Sequence, residues 1–168
     1  MQIFISGNPG SGKTTLVKRI YEEYKEYFIG FWTEEIRINK RRVGFEVVTT
    51  WGERKILASI ERRSNFRVGK YFVYPEVLDP IIEKISKERY DKKILLIDEI
   101  GRMEFYSNSF KNFILNLLKD ERINILATIH RNYLHLVKSY IWLDRKKWFE
   151  IYKRIKKEIE SLIKTINK

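Results

Sequence analysis

Apolar positions along the chain fall into two alternating kinds of pattern. A short apolar run, Gln2–Ser6 (QIFIS), is followed at once by Gly7–Thr14 and then by a helical stretch from Lys13 to about Phe28. In that stretch Leu16, Ile20, Tyr24 and Tyr27 recur at helical spacing, which predicts one apolar helix face. From Ile29 to Tyr74, runs rich in β-branched and aromatic residues are cut by turn signals, the pattern of a β-meander. Pro75–Arg89 reads as helix, with Pro75 at or near its first turn. ILLID (94–98) and INILATI (123–129) are nearly continuous apolar runs, as strands buried on both faces are. Between them Ser107 can cap a helix reaching about Lys119, with Phe110, Phe113, Ile114, Leu117 and Leu118 on one side. A short helix near Tyr133–Ser139 and a long one from about Lys146 finish the chain. The long one is striped by Trp148, Ile151, Tyr152, Ile155, Ile159, Leu162, Ile163 and Ile166. Strand–helix alternation at both ends predicts an α/β fold. Its sheet is mostly parallel and flanked by helices on both faces, with the antiparallel meander inserted. No repeat or linker interrupts residues 1–168, so one domain is expected.

Composition narrows this picture. The 168 residues carry 34 Lys+Arg, 22 Asp+Glu and no Cys. That length can bury a real core, and without cysteine a disulfide framework, a thiolate nucleophile and a Cys-ligated metal are excluded. No apolar run approaches the roughly 18 residues of a membrane span, and MQIFISGNPG lacks a leader pattern. The expectation is a cytoplasmic monomer with no membrane partner.

The net charge of +12 is unevenly placed: residues 29–74 hold 10 basic and 5 acidic groups, residues 130–168 hold 11 and 4, and the remainder is near neutral. Such excess can draw in anionic substrates or nucleic acid. Most aromatics alternate within strands or line helix stripes, however. Lys153, Lys156, Lys157 and Lys164 lie opposite an apolar stripe, as in any amphipathic helix. Nucleic-acid binding is therefore raised by charge alone and is not favoured.

Gly7-Asn8-Pro9-Gly10-Ser11-Gly12-Lys13-Thr14 fits G-x-x-x-x-G-K-[ST], with an apolar strand before it and an amphipathic helix after it. Glycines let successive backbone N–H groups turn inward on phosphate oxygens, and the helix N-terminus adds its positive end. Lys13 is placed to reach the β- and γ-phosphates, Thr14 to ligate Mg²⁺ and Thr15 to bond the α-phosphate. Asp98 ends the run Ile94–Ile97, where a carboxylate can hold Mg²⁺ through its water shell. Glu99 follows directly and can take a proton from the attacking water.

These residues sit within further blocks: GFWTEEIR (30–37), RRVGF (41–45), VGKY (68–71), LLIDEIGRME (95–104) and LATI (126–129). With the P-loop, and in this order, they resemble the prokaryotic nucleoside-triphosphatase family first described from thermophiles, to which the vertebrate cancer-related nucleoside-triphosphatase is related. The resemblance covers residues 1 to about 129. It implies a RecA-like P-loop fold with a mixed nine-stranded sheet, and Mg²⁺-dependent hydrolysis of ATP, GTP, CTP, UTP and TTP to diphosphates. Carried over, the nucleotide-binding stretches are Gly7–Thr14 and Leu95, Leu96, Ile97, Asp98, Glu99, Ile100, Gly101 and Arg102, with Glu99 catalytic; Lys13 is catalytic through its reach to the β- and γ-phosphates. Past Ile129 the chain departs: where the family has a basic-Pro segment and an Asn-Arg pair, it reads HRNYLHLVKSYIWLDRKKW. No base-contacting residue is identified there.

Other residues stay open. Thr128 can sense the γ-phosphate or simply bond backbone as a buried hydroxyl. Arg102 and Arg131, just beyond strand ends, are either arginine fingers in cis or solvated surface groups. Arg37 and Arg42 can form a lid. His130 and His135 lack a partner at metal spacing and read as structural. Two other functions remain in view: a small-molecule or nucleoside kinase, and a nucleic-acid-stimulated ATPase.

Overall fold

A computed structural model describes residues 1–88 and 92–168. Among these residues nine strands form: β1 (Gln2–Ser6), β2 (Phe28–Ile38), β3 (Arg41–Thr49), β4 (Arg54–Ser59), β5 (Phe66–Val68), β6 (Tyr71–Val73), β7 (Ile94–Ile100), β8 (Asn124–Ile129) and β9 (Ile141–Trp142). Four α-helices accompany them: α1 (Lys13–Glu23), α2 (Asp79–Ser86), α3 (Asn108–Leu117) and α4 (Trp148–Ile166). The strands lie in one sheet in the order β5-β6-β4-β3-β2-β7-β8-β1-β9. β2, β7, β8, β1 and β9 pair in parallel, whereas β3, β4, β5 and β6 extend one edge antiparallel.

The apolar runs explain the layering. Alternate side chains of a strand point to opposite faces, so a run without polar gaps fills both. Ile3, Ile5, Ile94, Leu96 and Leu126 pack with α1 and α4 on one face. Phe4, Leu95, Ile97, Ile125 and Ala127 pack with α2 and α3 on the other. Phe31 and Phe110 meet edge to face at 6.2 Å, both fully buried, each such ring contributing about 1.5–3 kcal/mol. Among the described residues no helix is long and apolar enough to cross a membrane.

The meander is a continuation of the main sheet rather than a separate insertion, and β2 is the joint. Phe28–Phe31 pair in parallel with Ile94–Ile97, while Phe31–Ile38 pair antiparallel with β3. At Gly30 a Cβ would stand 1.9 Å from the carbonyl oxygen of Leu96, so only glycine admits this approach of β2 to β7.

Several boundaries differ from expectation. α1 ends at Glu23, followed by a 3₁₀ turn at Lys25–Tyr27, because sheet pairing claims Phe28 onward. Its buried face is Leu16, Val17, Ile20 and Tyr21. The helix expected over Pro75–Arg89 is a 3₁₀ turn, Pro75–Leu78, continued by α2; Arg89 lies outside the described residues. Ser107 caps α3 as expected, accepting from the Phe110 N–H at 3.1 Å. In place of a helix at Tyr133–Ser139, a 3₁₀ helix spans Arg131–Leu136, started by His130 Nδ1 accepting from the Asn132 N–H. β9 is unforeseen. α4 starts at Trp148, after a 3₁₀ turn at Arg145–Lys147 capped by Asp144.

Candidate functional site

The carboxyl ends of β1, β7 and β8 converge on a cleft of about 840 Å³, where open parallel sheets characteristically take ligands. β1 delivers the glycine loop. Its turn is closed by the Ser11 N–H donating to the Asn8 carbonyl at 3.1 Å. Gly12 then starts α1 with φ of 91°, a left-handed conformation that suits glycine. A Cβ at Gly12 would also lie 2.9 Å from Nε1 of Trp148. The first N–H groups of α1 have no intrahelical acceptor and form a natural anion seat. Lys13 Nζ donates to the carbonyls of Gly7 (3.0 Å) and Asn8 (3.2 Å), which holds its charge at the loop's rim.

β7 delivers the acids, and a register shift aims them. Ile97 pairs with Ala127 and Ile100 with Ile129, so Asp98 and Glu99 together oppose the single residue Thr128. Such a bulge redirects side chains. Asp98 is 2% exposed. Its Oδ2 accepts from the Thr14 hydroxyl at 2.9 Å and from the Thr33 N–H at 3.4 Å, while its Oδ1 accepts from the Thr128 hydroxyl at 2.5 Å. Burial pushes its pKa up, and these three donors and Lys13 pull against that. Glu99 is half-buried and is pushed up to about 7, first by burial and then by the Asp98 charge, with Lys13 opposing. Behind it Glu104 is 4% exposed, and burial, followed by Glu99, raises it well above the usual carboxylate range.

This donor set suits a hard cation that keeps water and phosphate oxygens. No group of three or more His, Cys, Asp or Glu side chains capable of holding a metal occurs among the described residues. The Thr14 hydroxyl with Asp98 behind it is instead the kind of sparse oxygen site that Mg²⁺ uses.

The β2–β3 hairpin walls the cleft with Thr33, Glu34, Glu35, Arg42 and Phe45. Lys18 of α1 pairs with Glu34 at 2.8 Å and ties helix to hairpin. Arg42 is engaged, donating to the Tyr71 hydroxyl (2.8 Å) and to Glu35 (3.2 Å). Arg37 pairs with Glu35 at 2.7 Å and bonds the Lys40 carbonyl, and it stands outside the cleft.

Of the sequence-derived candidates, Gly7, Pro9, Gly10, Gly12, Lys13, Thr14, Thr15, Asp98 and Glu99 line the cleft. Asn8 is exposed outside its lining, and Ser11 is buried. Leu95, Leu96, Ile97 and Ile100 lie in the core, because a strand buried on both faces spends those side chains on packing; Gly101 is also buried. Arg102 enters a side cavity of about 200 Å³ together with Met103 and Glu104; that cavity shares Thr33, Phe45, Glu99 and His130 with the cleft. Arg131 and His130 line the cleft itself, whereas His135 is exposed. Thr128 bonds a carboxylate rather than backbone. Unforeseen from the sequence were Thr33, Phe45 and Arg19 in the lining, Glu104 behind Glu99, and Trp148 on the loop, its Nε1 donating to the Gly12 carbonyl at 3.0 Å. The block GFWTEEIR marked the strand that carries Thr33, but its backbone contact has no sequence signal. Trp148 reads as one more member of an apolar stripe.

The chain is 42% identical over 148 residues to the nucleoside-triphosphatase THEP1 of Aquifex aeolicus, covering 83% of each chain. The crystal structure of THEP1 from that hyperthermophile superposes with a TM-score of 0.82 at 35% identity, over 92% of this chain and 96% of that one. The solution structure of a human cancer-related nucleoside triphosphatase superposes with a TM-score of 0.74 at 27% identity, over 95% and 97%. The fold is that of the P-loop NTPases. Residues 2–165 match the family described as NTPase, and the chain belongs to that family.

Proposed function

We propose that this chain hydrolyses nucleoside triphosphates to diphosphate and phosphate with Mg²⁺ and with little discrimination among bases. The relatives' names supply the reaction class. The observation that carries the mechanism is the contiguity of Lys13, Thr14, Asp98 and Glu99 on one cleft, with Asp98 held by Thr14, Thr33 and Thr128.

The loop and α1 N–H groups seat the phosphates, and Lys13, now bonded to two carbonyls, turns its charge onto the β- and γ-oxygens. Thr14 would hold Mg²⁺ with Asp98 behind it, and the ion supplies neutralisation of the phosphate oxygens. Glu99 accepts a proton from water as the water oxygen bonds the γ-phosphorus. The bond from that phosphorus to the β–γ bridging oxygen breaks, and the diphosphate leaves with the electron pair. Arg131, lining the same cleft, adds positive charge where the transferring group develops negative charge. Charged side chains of α1 and the hairpin, rather than a closed pocket, border the remaining cleft, which fits tolerance of several bases.

Phosphate release from ATP, GTP, CTP, UTP and TTP, with Mg²⁺ and then with EDTA, tests the reading. Comparable rates for all five and loss with EDTA are expected; hydrolysis of a single nucleotide, or rates indifferent to EDTA, would contradict it. One observation favours phosphoryl transfer to a small hydroxylated acceptor as a second reading: the side cavity shares Glu99 with the cleft. A phosphorylated acceptor formed in place of free phosphate would establish it.

A further inference from the structure

The C-terminal helix, where no base-contacting residue was identified, meets the cleft at two places, the Gly12 carbonyl and the Arg19 side chain of α1. Thr15 and Arg19 are four residues apart, hence on one face of the helix and about 6 Å apart along it. Both line the cleft. The Arg19 guanidinium lies 4.4 Å from the ring centre of Tyr152 and 5.8 Å from that of Trp148. Those two rings stack on each other, 5.5 Å apart and 9° from parallel. The aromatic floor is itself fixed: Trp148 Nε1 donates to the Gly12 carbonyl, and the Tyr152 hydroxyl donates to Glu23. Arg19 keeps a loose pairing with Glu23 at 3.9 Å, and its side chain is 49% exposed.

A guanidinium is planar and can carry an aromatic ring on each face. Here the guanidinium carbon lies over the Tyr152 ring while the group borders the cleft one helical turn beyond Thr15. With the reacting end of the cleft at Asp98 and Glu99 and the phosphates on the loop, a nucleotide extends past Thr15 toward Arg19. We infer that Arg19 is the platform on which the nucleobase of the bound triphosphate stacks, held flat by Tyr152 and Trp148. This rests on the nucleotide reading of the cleft and extends it to the base. Stacking engages the π-face that every base has and ignores the edges that distinguish them, so such a platform serves purines and pyrimidines alike.

Equilibrium binding of ATP, GTP, CTP and inorganic tripolyphosphate, each with Mg²⁺, to the wild-type chain, Arg19→Ala and Arg19→Lys tests the inference. Melting curves confirm that both variants fold. Arg19→Ala is expected to weaken all three nucleotides by about tenfold and to leave tripolyphosphate, which has no base, within about twofold. Arg19→Lys keeps the charge without the plane and is expected to bind tripolyphosphate normally and nucleotides weakly. Equal weakening of tripolyphosphate, weakening of one nucleotide only, full rescue by lysine, or no change in Arg19→Ala would each overturn it. Failure of the wild-type chain to bind any of the nucleotides is a separate result, and it would overturn the reading of the cleft as well.

Discussion

The Thr128 hydroxyl donates to Oδ1 of Asp98 at 2.5 Å, across the register shift that sets Asp98 and Glu99 against a single residue of β8. A carboxylate as enclosed as this one costs free energy unless donors surround it, and Thr128 is one of three. Thr128→Val keeps the shape and removes a donor to a charged group. It is expected to lower unfolding free energy by about 1.5–3 kcal/mol, with Thr128→Ser recovering most of the loss in urea denaturation. A valine variant as stable as the wild type would show that Asp98 does not depend on this bond.

A carboxyl group accepts a proton only when ionised, and Glu99 is the base in the proposed reaction. Burial first, and then the charge of Asp98, push its pKa up to about 7 against the pull of Lys13. Hydrolysis measured as kcat/KM should therefore rise with pH from about 6 to about 8 and level off above. A flat profile across that range would contradict the assignment.

Glu34 gives the opposite sign, in stability. The hydrogen bond from Lys18 first, then that from the Trp32 indole, outweigh burial, and with Arg54 they hold its pKa at about 2. Its stabilisation is complete above the ordinary value of 4.5 and is lost as pH falls through about 2. Such a shift corresponds to about 3 kcal/mol, which solvent screening of its one-quarter exposed side chain reduces to about 1 kcal/mol. Glu34→Gln should be destabilised by about that amount at neutral pH and should lose less between about pH 5 and pH 3, as followed by urea unfolding. Equal stability of variant and wild type at neutral pH would contradict this.

Arg131 lines the cleft and, among the described residues, its side chain makes no hydrogen bond or ion pair, whereas that of Arg42 is committed to Glu35 and Tyr71. Arg131→Ala should lower kcat by about 10³-fold with little change in KM, and Arg102→Ala, in the side cavity, should lower it far less. The reverse ranking in steady-state kinetics would move the role to Arg102.

How much of this the sequence showed depends on whether a local or a distant partner decides the matter. Lys13 and Thr14 were legible because their spacing is the chemistry: a strand, a glycine turn and a helix start follow one another within a few residues. Asp98 was legible as a polar residue ending an apolar run. The neighbouring stretch taken over by resemblance was not separable residue by residue. Strand alternation sends Leu95, Leu96, Ile97 and Ile100 into the two cores and leaves only Asp98 and Glu99 in the cleft. β9 is two residues long, defined by pairing with Ile5 and Ser6, and has no pattern of its own. The Trp148–Gly12 contact joins positions 136 apart in sequence, so Trp148 looks like any other stripe residue until α4 is seen against the loop.

At the centre of the proposed function Glu99 activates water beside a phosphate held by the P-loop. Single-turnover phosphate release from ATP, measured on Glu99→Gln alongside its ATP affinity, tests it most directly. Wild-type affinity with release slowed by about 10²–10⁴-fold is predicted. Release at the wild-type rate would contradict the account.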